Sequence, residues 1–415
     1  MIPVELKRCE RTELPVRASL LEGLAEPKDF RVDIQSVRIL NPDLDQILGS
    51  SWRRPNRDHF LGANSLMLPE LWSEGIEMPS PLQISVMHEA WVFGGVITQR
   101  AEATHSQGQA LLTRNGGVTQ DSFGIMDGNV TWAENILSYD EASGAWAYIG
   151  PSEATRLKGD YYLVGNVHRH FGHVMLEGLS RLWAMRQVSQ VTSDLRFLVY
   201  ESDVRPFALE LLRLAGVPED RIVSASPATS VERLFVPSTA MRTHRSISPE
   251  MGEVWGRISL KQASGGYRSA RRKVYLSRKA IGNRPLENEE ALEALLLSRG
   301  FEIRCSETMT IPEQIRMASE SEILAGPVGS QMYLAGFQQP GSSVLVLAPR
   351  NFYLKDDLLL AAVRFHHLDV CFGSPLDFRK DKANRRWSVD LVEVEARLDE
   401  LIVSREMPAD LERDK

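Results

Sequence analysis

Side chains that can exchange protons are concentrated in residues 166–181, which read NVHRHFGHVMLEGLSR. If a helix begins just before His173, then Glu177 and Arg181 share its face at i, i+4 spacing. A histidine can act as a general base near neutral pH, and a neighbouring carboxylate orients its ring and raises its basicity. The pattern therefore predicts a catalytic pair, whereas a His–Glu pair on a wet helix surface is the alternative. Neighbouring polar side chains are predicted to line the same site: Asn166, His170 and Arg181.

The same histidines also suggest a metal site, but the rest of the sequence does not favour one. The pattern H-x-H-x-x-H-x-x-x-E is dense in ligands, yet it does not match H-E-x-x-H and lacks the carboxylate of H-x-H-x-D-H. His244 and the pair His366-His367 stand apart from any further ligand cluster. We therefore predict no metal and no other cofactor.

A strongly basic stretch lies between Tyr267 and Arg284, with seven cations and no acidic residue, in a chain of formal net charge −7. Such an island suits a small anion such as phosphate or pyrophosphate, although a solvated basic loop fits the charge equally well. Arginine binds phosphate bidentately, and lysine adds a compact charge. The turn after the strand KVYLSR thus predicts a phosphate clamp of Ser277, Arg278, Lys279 and Arg284. The alternative is an arginine tied to a nearby glutamate: Glu287, Glu289 or Glu290.

A glycine-containing turn follows the strand-like segment SEILAG, and its residues of interest are Gly326, Gly329, Ser330 and Gln331. Glycines let the backbone approach a ligand, and the amides that open the next helix can face an anion. The turn is not a G-x-G-x-x-G fingerprint and no P-loop lysine follows it. Neither a dinucleotide-binding fold nor an ATPase is therefore supported.

Strand and helix patterns alternate in both halves of the chain, which is typical of parallel βαβ units. The strand-like segments are YYLVGN, RFLVY, RIVSA and RLFVPS in the first half, and KVYLSR, FEIRC, SEILAG and SSVLVLAP in the second. Residues 83–149 favour an antiparallel or mixed β layer. We predict an α/β fold with two Rossmann-like domains facing a cleft and a β-rich N-terminal portion. The boundaries are an irregular segment 1–80, domains 81–262 and 267–380, and a terminal helix 388–405 able to pack back on the first domain.

The composition excludes several classes of protein. An apolar share of 43% and a charged share of 25% are typical of globular proteins, and the acidic balance argues against a nucleic-acid partner. Cys9, Cys305 and Cys371 form no C-x-x-C pair, which fits a reducing compartment. No apolar leader and no run of ~18 apolar residues is present. These features predict a cytoplasmic protein with at most peripheral membrane contact, and a homo-oligomer is compatible with them.

Five segments in order and spacing resemble the family-61 glycosyltransferases, often labelled capsular polysaccharide biosynthesis proteins in bacteria. They are FGHVMLEGLSRLW (171–183), YLSR (275–278), RPLENE (284–289), GFEI (300–303) and ETMTIPEQI (307–315). Two positions depart from the family's pattern. Val328 replaces the histidine of its G-x-H-G-A-G-L motif, and Val346 replaces a glutamate in the strand after Pro340-Gly341.

The resemblance implies a GT-B architecture and an inverting, metal-independent transfer of a hexosyl or pentosyl group. The donor would be a nucleotide-sugar and the acceptor a glycan or another hydroxyl compound, in bacterial surface polysaccharide synthesis. His173 is then the base or acceptor-positioning group, and Glu177 its partner. Cations or helix N-termini would stabilise the leaving pyrophosphate, and no strand-end D-x-D of the metal-dependent GT-A type is present. The implied donor-binding residues are Ser277, Arg278, Lys279, Arg284, Glu307, Gly326, Gly329, Ser330 and Gln331.

The departures at Val328 and Val346 leave other functions open. They fit a different donor or an altered catalytic role. They also fit a non-catalytic scaffold member of a polysaccharide-assembly complex with an eroded donor site. A sugar-nucleotide epimerase, which consumes the donor without an acceptor, is a third hypothesis.

Overall fold

The chain from Pro79 onward divides into two compact units, Pro79–Met241 and Arg242–Lys415, in a computed structural model. The predicted irregular segment 1–80 lies outside the described residues, as do residues 263–271, which include the start of the basic stretch. The structure describes residues 82, 84–97, 107–112, 123–126, 129–132, 137–140, 145–148, 155–167, 170–200, 204–225, 228–243, 246–262, 272–350, 352–353, 356–376 and 386–406.

The first unit is built on a six-stranded sheet with the order β2-β1-β10-β7-β8-β9. Its strands and those of two hairpins, β3–β4 and β5–β6, are β1 (Ile84–Ile97), β2 (Gln107–Leu112), β3 (Phe123–Met126), β4 (Asn129–Trp132), β5 (Leu137–Asp140), β6 (Ala145–Tyr148), β7 (Thr155–Gly165), β8 (Leu195–Val199), β9 (Ile222–Ser224) and β10 (Thr229–Pro237). β1 pairs antiparallel with β2 and β10, while β10, β7, β8 and β9 run parallel. The predicted change from a mixed layer to parallel strands is therefore confirmed.

The helical elements of the first unit flank its parallel strands. They are α1 (Phe171–His173), a π-helix (Val174–Gly178), a 3-10 helix (Leu182–Ala184), α2 (Met185–Ser189), α3 (Pro206–Ala215) and a 3-10 helix (Glu219–Arg221). β7 is exposed in its first half and fully buried from Tyr161, so the core lies under the carboxyl end of this strand. α3 ends at Gly216, whose φ of 102° is the left-handed conformation that glycine adopts without strain.

The segment after His170 differs from the regular helix that its apolar spacing predicts. It is broken into α1, one π-turn, a 3-10 turn and α2. Local spacing cannot anticipate this, because a single turn of each helix type is too short to set a distinct period of apolar residues. The amide of Leu179 bonds the carbonyl of Val174 at 3.0 Å, five residues back, which widens the turn. The i, i+4 relation predicted for Arg181 therefore does not hold.

The second unit contains a six-stranded sheet with the order β14-β13-β15-β16-β17-β18. Strands of the remaining described chain are β11 (Met241–Arg242), β12 (Ser246–Ile247), β13 (Arg272–Leu276), β14 (Glu302–Arg304), β15 (Ser321–Pro327), β16 (Ser343–Pro349), β17 (His367–Pro375) and β18 (Trp387–Ser388). The first five strands of the sheet are parallel, and β18 is antiparallel to β17. The predicted alternation of strand and helix is confirmed here, and the chain is a mixed α/β protein with mainly parallel sheets.

The helices of this unit are α4 (Pro249–Gln262), α5 (Glu289–Ser298), α6 (Ile311–Ser319), α7 (Asp356–Arg364) and α8 (Leu391–Glu406), with 3-10 helices at Ser306–Thr308 and Ser330–Phe337. Thr310 caps α6 in a capping box with Glu313, as its sequence predicts, and Pro312 lies in the first turn. α5 is followed by Gly300 at φ 77°. These local signals set where α6 begins and where α5 ends.

The terminal helix α8, which the sequence left free to return to the first domain, buries its apolar face on the second sheet. Val394 and Leu398 are fully buried among Leu292 and Leu296 of α5 and Leu345 of β16. Burying a leucine contributes about 1.5–3 kcal/mol. No helix in the described part of the chain combines the length and the apolar character needed to cross a membrane.

We expect Gly336→Ala to destabilise the second unit by about 1–3 kcal/mol, because the site-bearing 3-10 helix has no room for a side chain there. A Cβ at Gly336 would lie 2.9 Å from Cδ2 of the fully buried Trp255. Gly282→Ala is the control, since a Cβ there meets nothing within 4 Å. Equilibrium urea unfolding measures both variants, and equal midpoints would contradict this packing.

Candidate functional site

A His–Glu pair lies just beyond the carboxyl end of β7 in the first unit. Nδ1 of His173 is 3.0 Å from Oε1 of Glu177, and the two side chains are 35% and 31% exposed. Asn166, directly after β7, donates from Nδ2 to Oε2 of Glu177 at 3.3 Å. Glu177 is thus held from both sides, and it orients the ring of His173. Such a ring, bonded through Nδ1 to a carboxylate, has the arrangement of a general base.

The π-turn brings this pair against the end of β7. Gly178 belongs to the turn, and a Cβ on it would lie 3.1 Å from the carbonyl oxygen of Asn166. π-turns inside helices occur frequently at functional sites. His170 lies beside the pair, with its ring centroid 6.3 Å from that of His173. The structure therefore brings together four of the predicted polar residues: Asn166, His170, His173 and Glu177.

Arg181 lies elsewhere. Its buried side chain donates from Nη1 to the carbonyl of Pro237, at the end of β10, and its own carbonyl accepts from the hydroxyl of Tyr162. These contacts tie the helical segment to the sheet. The structure thus corrects the predicted common face with Glu177, and any part in acceptor binding stays a prediction.

In the second unit, Arg278 and Arg284 lie beyond the carboxyl end of β13, with Arg278 buried and Arg284 partly buried. Arg278 is 7% exposed and donates from Nη2 to the carbonyl of Asn283 at 3.2 Å. The guanidinium of Arg284 lies over the ring of Phe352, with its Cζ 4.2 Å from the ring centroid. Burial, and then the charge of Arg278, lowers the pKa of Arg284 to about 10. The two like charges are therefore neighbours in a poorly hydrated place.

Neither arginine forms an ion pair with a carboxylate among the described residues, and the Nε of each is buried without a partner there. The alternative of an arginine tied to a nearby glutamate is only partly realised. Oε1 of Glu289 accepts from the backbone amide of Arg278 at 2.8 Å, and from the hydroxyl of Tyr275 at 3.0 Å. Glu289 thus positions the backbone of the turn and leaves the guanidinium for another group.

The glycine turn lies against the arginines. Gly329 has φ 154°, and a Cβ there would lie closer to Nη1 of Arg278 than van der Waals contact allows, and 3.6 Å from Nη2 of Arg284. Gln331 donates from Nε2 to the carbonyl of Leu276 at 2.9 Å, while its Oε1 is buried with no partner in the described chain. Gly326 permits this close approach, since a Cβ on it would lie 3.1 Å from the same carbonyl.

The remaining predicted residues have different surroundings. Lys279 is exposed and pairs through Nζ with Glu293 at 2.6 Å, which ties the turn to α5. Ser277 is buried and accepts from the amide of Lys279 at 3.4 Å. Glu307 and Ser330 are exposed. The structure therefore groups Arg278 and Arg284 with Gly326, Gly329 and Gln331, whereas Lys279 contacts a carboxylate.

Four further buried residues of the second unit have no counterpart in the sequence predictions: Tyr333, Tyr353, Asp356 and Asp357. The hydroxyl of Tyr333 donates to Oδ2 of Asp356 at 3.0 Å. Asp356 and Asp357 open α7, where acidic residues ordinarily mean only a favourable helix dipole. Acidic residues at the start of a helix are common, so this pattern alone does not indicate a functional site.

The positions where the sequence departs from the family-61 pattern are both in the core. Val328 is buried and its amide bonds the carbonyl of Leu347 at 2.7 Å. Val346 is buried within β16, in register between Gly326 and Val370. Both side chains are buried and contribute to core packing, and neither adds a polar group to the site.

The mainly parallel sheets, with polar sites beyond the carboxyl ends of strands, are typical of α/β enzymes that bind phosphorylated ligands. The family model Glycosyltransferase 61 matches residues 171–345, a range that contains both the His173–Glu177 pair and the two arginines. The matched part of the chain is thus a family-61 glycosyltransferase domain, and the predicted family and enzyme class are confirmed. No curated protein matches the chain significantly.

We expect Gly329→Ala to weaken the binding of a small anion, because the added methyl group displaces the guanidinium of Arg278. In the wild type, inorganic pyrophosphate should raise the melting temperature, since a ligand at 100 times its Kd adds about 2.7 kcal/mol. Gly329→Ala should lose most of this rise. Gly341→Ala, also at positive φ but with no arginine within 4 Å, should lower stability and keep the rise. An unchanged rise in Gly329→Ala would contradict the contact.

Proposed function

We propose that this chain is a metal-independent, inverting glycosyltransferase of GT-B architecture. It would transfer a hexosyl or pentosyl group from a nucleotide-sugar to a hydroxyl of a glycan or similar acceptor. The observation that carries the proposal is the pair Arg278 and Arg284, which lie side by side with their Nε atoms buried and with no carboxylate partner in the described chain. In this reaction the second unit serves the donor and the first unit serves the acceptor.

The diphosphate of the donor is the ligand that the arginine pair fits. Burying two like charges is unfavourable unless an opposite charge compensates them. Planar guanidinium groups bind phosphate oxygens bidentately, and the unpartnered Nε atoms of Arg278 and Arg284 remain to donate. Two fixed cations can also stabilise the charge that grows on a nucleoside diphosphate as it leaves, which is the role a metal ion has in other transferases.

The His173–Glu177 pair supports the acceptor half of the proposal. The imidazole would remove the proton of the acceptor hydroxyl as its oxygen attacks the anomeric carbon of the donor. The bond from that carbon to the diphosphate oxygen breaks on the opposite face, so the configuration inverts. Glu177, bonded to Nδ1, would stabilise the imidazolium that forms. The proton thus passes to His173, and the negative charge passes to the diphosphate between the arginines.

The biological setting is also part of the proposal. The resemblance to family-61 glycosyltransferases supports synthesis of bacterial surface polysaccharide, such as capsule, and we place this synthesis in the cytoplasm with at most peripheral membrane contact. The rival, a scaffold protein with an eroded donor site, draws on the apolar Val328 and Val346. A nucleotide-binding experiment separates the two, because a scaffold would bind no nucleoside diphosphate.

We expect Arg278→Ala to weaken nucleoside diphosphate binding about 10- to 100-fold, the range for one lost charge-assisted bond. Isothermal titration with UDP, GDP, CDP and ADP, in the presence of EDTA, measures the affinity. Arg278→Lys should retain part of it. Arg299→Ala removes an arginine that pairs with Glu395 and Asp399 instead, and it should bind as the wild type does. The proposal fails if a folded Arg278→Ala keeps wild-type affinity.

We expect His173→Ala to lower kcat about 10²- to 10⁴-fold while donor affinity stays unchanged, because the base acts only in the chemical step. Glu177→Gln should lower kcat less, since it keeps the ring and loses the charge that stabilises the imidazolium. Transfer of labelled sugar to extracted surface polysaccharide is the readout. The exposed His88 on β1 provides the control His88→Ala. Wild-type transfer by His173→Ala would rule out this base.

A further inference from the structure

Resting on the function proposed above, we infer a second subsite for the donor, formed by Tyr333, Tyr353, Asp356 and Asp357. We call these four residues the Tyr–Asp cluster. The structure assigns to it the hydroxyl groups of the donor, on the ribose or on the sugar, next to the arginines that take the diphosphate. The subsite would decide which nucleotide-sugar the enzyme accepts.

The Tyr–Asp cluster is buried and keeps unused bonding capacity. Tyr353 is 1% exposed and Asp357 is 5% exposed. The hydroxyl of Tyr353 and Oδ2 of Asp357 are buried without a hydrogen-bond partner in the described chain. A buried polar atom without a partner costs about 1–3 kcal/mol. Native proteins rarely keep such atoms together unless a ligand satisfies them.

The four side chains face one another. The hydroxyl of Tyr333 donates to Asp356. Burial, followed by the charges of Asp357 and Asp356, raises the pKa of Tyr353 well above its usual range. Burial and the neighbouring Asp356 raise the pKa of Asp357 in the same way. A carboxyl group in this state can hold a proton, so it can donate to a hydroxyl as well as accept from one.

The Tyr–Asp cluster adjoins the arginine pair. Tyr333 belongs to the 3-10 helix that begins directly after Gly329. Its hydroxyl group raises the pKa of Arg284, whereas burial and the charge of Arg278 lower it. Phe352, on which Arg284 stacks, directly precedes Tyr353. Tyr333 and the segment Phe352–Tyr353 therefore link the arginine pair to the Tyr–Asp cluster.

Hydroxyl groups fit this place better than a cation does. The two arginines next to it repel a second positive ligand, and tyrosine hydroxyls both donate to and accept from an alcohol. A molecule that fills both parts must carry phosphates and hydroxyls a few bonds apart, which describes a nucleotide-sugar. Val346 in β16 brings no carboxylate to this end of the sheet, so Asp356 and Asp357 at the start of α7 supply it.

Tyr353→Phe is the decisive variant because it deletes only a hydroxyl that has no partner in the described chain. We expect its melting temperature to equal or exceed that of the wild type without ligand, while donor affinity falls about tenfold. Asp357→Asn should behave in the same way, since Oδ2 of Asp357 also has no partner in the described chain. Titrations of the full-length chain use UDP, GDP, CDP and ADP, their 2′-deoxy forms, and the sugar derivative of the best binder.

Two control variants separate binding from stability. Tyr161→Phe removes a buried hydroxyl that does have a partner, Arg196 at 3.0 Å, so stability should fall and affinity should not. Asp390→Asn removes a carboxylate at the start of another helix, α8, where it bonds the amide of Val392. It should leave affinity unchanged.

The titrations distinguish the source of the hydroxyl. A loss that disappears with the 2′-deoxy nucleotides assigns the Tyr–Asp cluster to ribose, and a loss confined to the nucleotide-sugar assigns it to the sugar. Wild-type affinity in both folded variants would overturn the subsite and leave the proposed function intact. A loss seen only with added Mg²⁺ would also overturn it, in favour of a cation site. If the wild type bound no nucleotide at all, the proposed function would fail first.

Discussion

The placement of Arg278 and Arg284 next to each other, with their Nε atoms buried, is the constraint that the surrounding elements of the second unit must satisfy. Two guanidinium groups lose hydration and repel one another, and nothing in the described chain neutralises them directly. The surrounding elements hold them in place all the same. Glu289 fixes the backbone of the turn, Phe352 covers one guanidinium, and Gly329 leaves space for the other. This is a pre-formed site whose unfavourable charge a bound anion would relieve.

A different physical device holds the first unit's pair. His173 and Glu177 are half-exposed, so burial does little, and orientation depends on Asn166 and on the π-turn. The wider turn packs Gly178 against the carbonyl at the end of β7. Repulsion between like charges thus characterises the site in the second unit, whereas hydrogen-bonded orientation characterises the site in the first unit. The proposed inverting transfer would use both, because one group would stabilise the leaving diphosphate and another would accept the proton.

Much of the fold follows from local signals. The parallel strands were predictable from the alternation of apolar runs and amphipathic helices. The start of α6 at Thr310 was predictable from the capping pattern. The broken helix after His170 was not, because one π-turn is too short to leave a recognisable change in the apolar pattern. Only packing against β7 selects between them. In the same way, α8 carries an apolar stripe that any sheet could bury, and contacts with α5 decide its place.

By itself, the sequence determined the chemical types at both sites: a histidine with a carboxylate four residues on, and a basic turn followed by glycines. It also determined the family, since those segments keep a fixed order and spacing. Tertiary structure decided which cations pair with a carboxylate and which lie beside another cation. Lys279 pairs with Glu293, whereas Arg284, six residues after Arg278, returns to lie beside it. It also brought Asp356 and Asp357, more than seventy residues away, to the same edge. Charge type is a property of the chain, but desolvation and pairing arise only when distant segments meet.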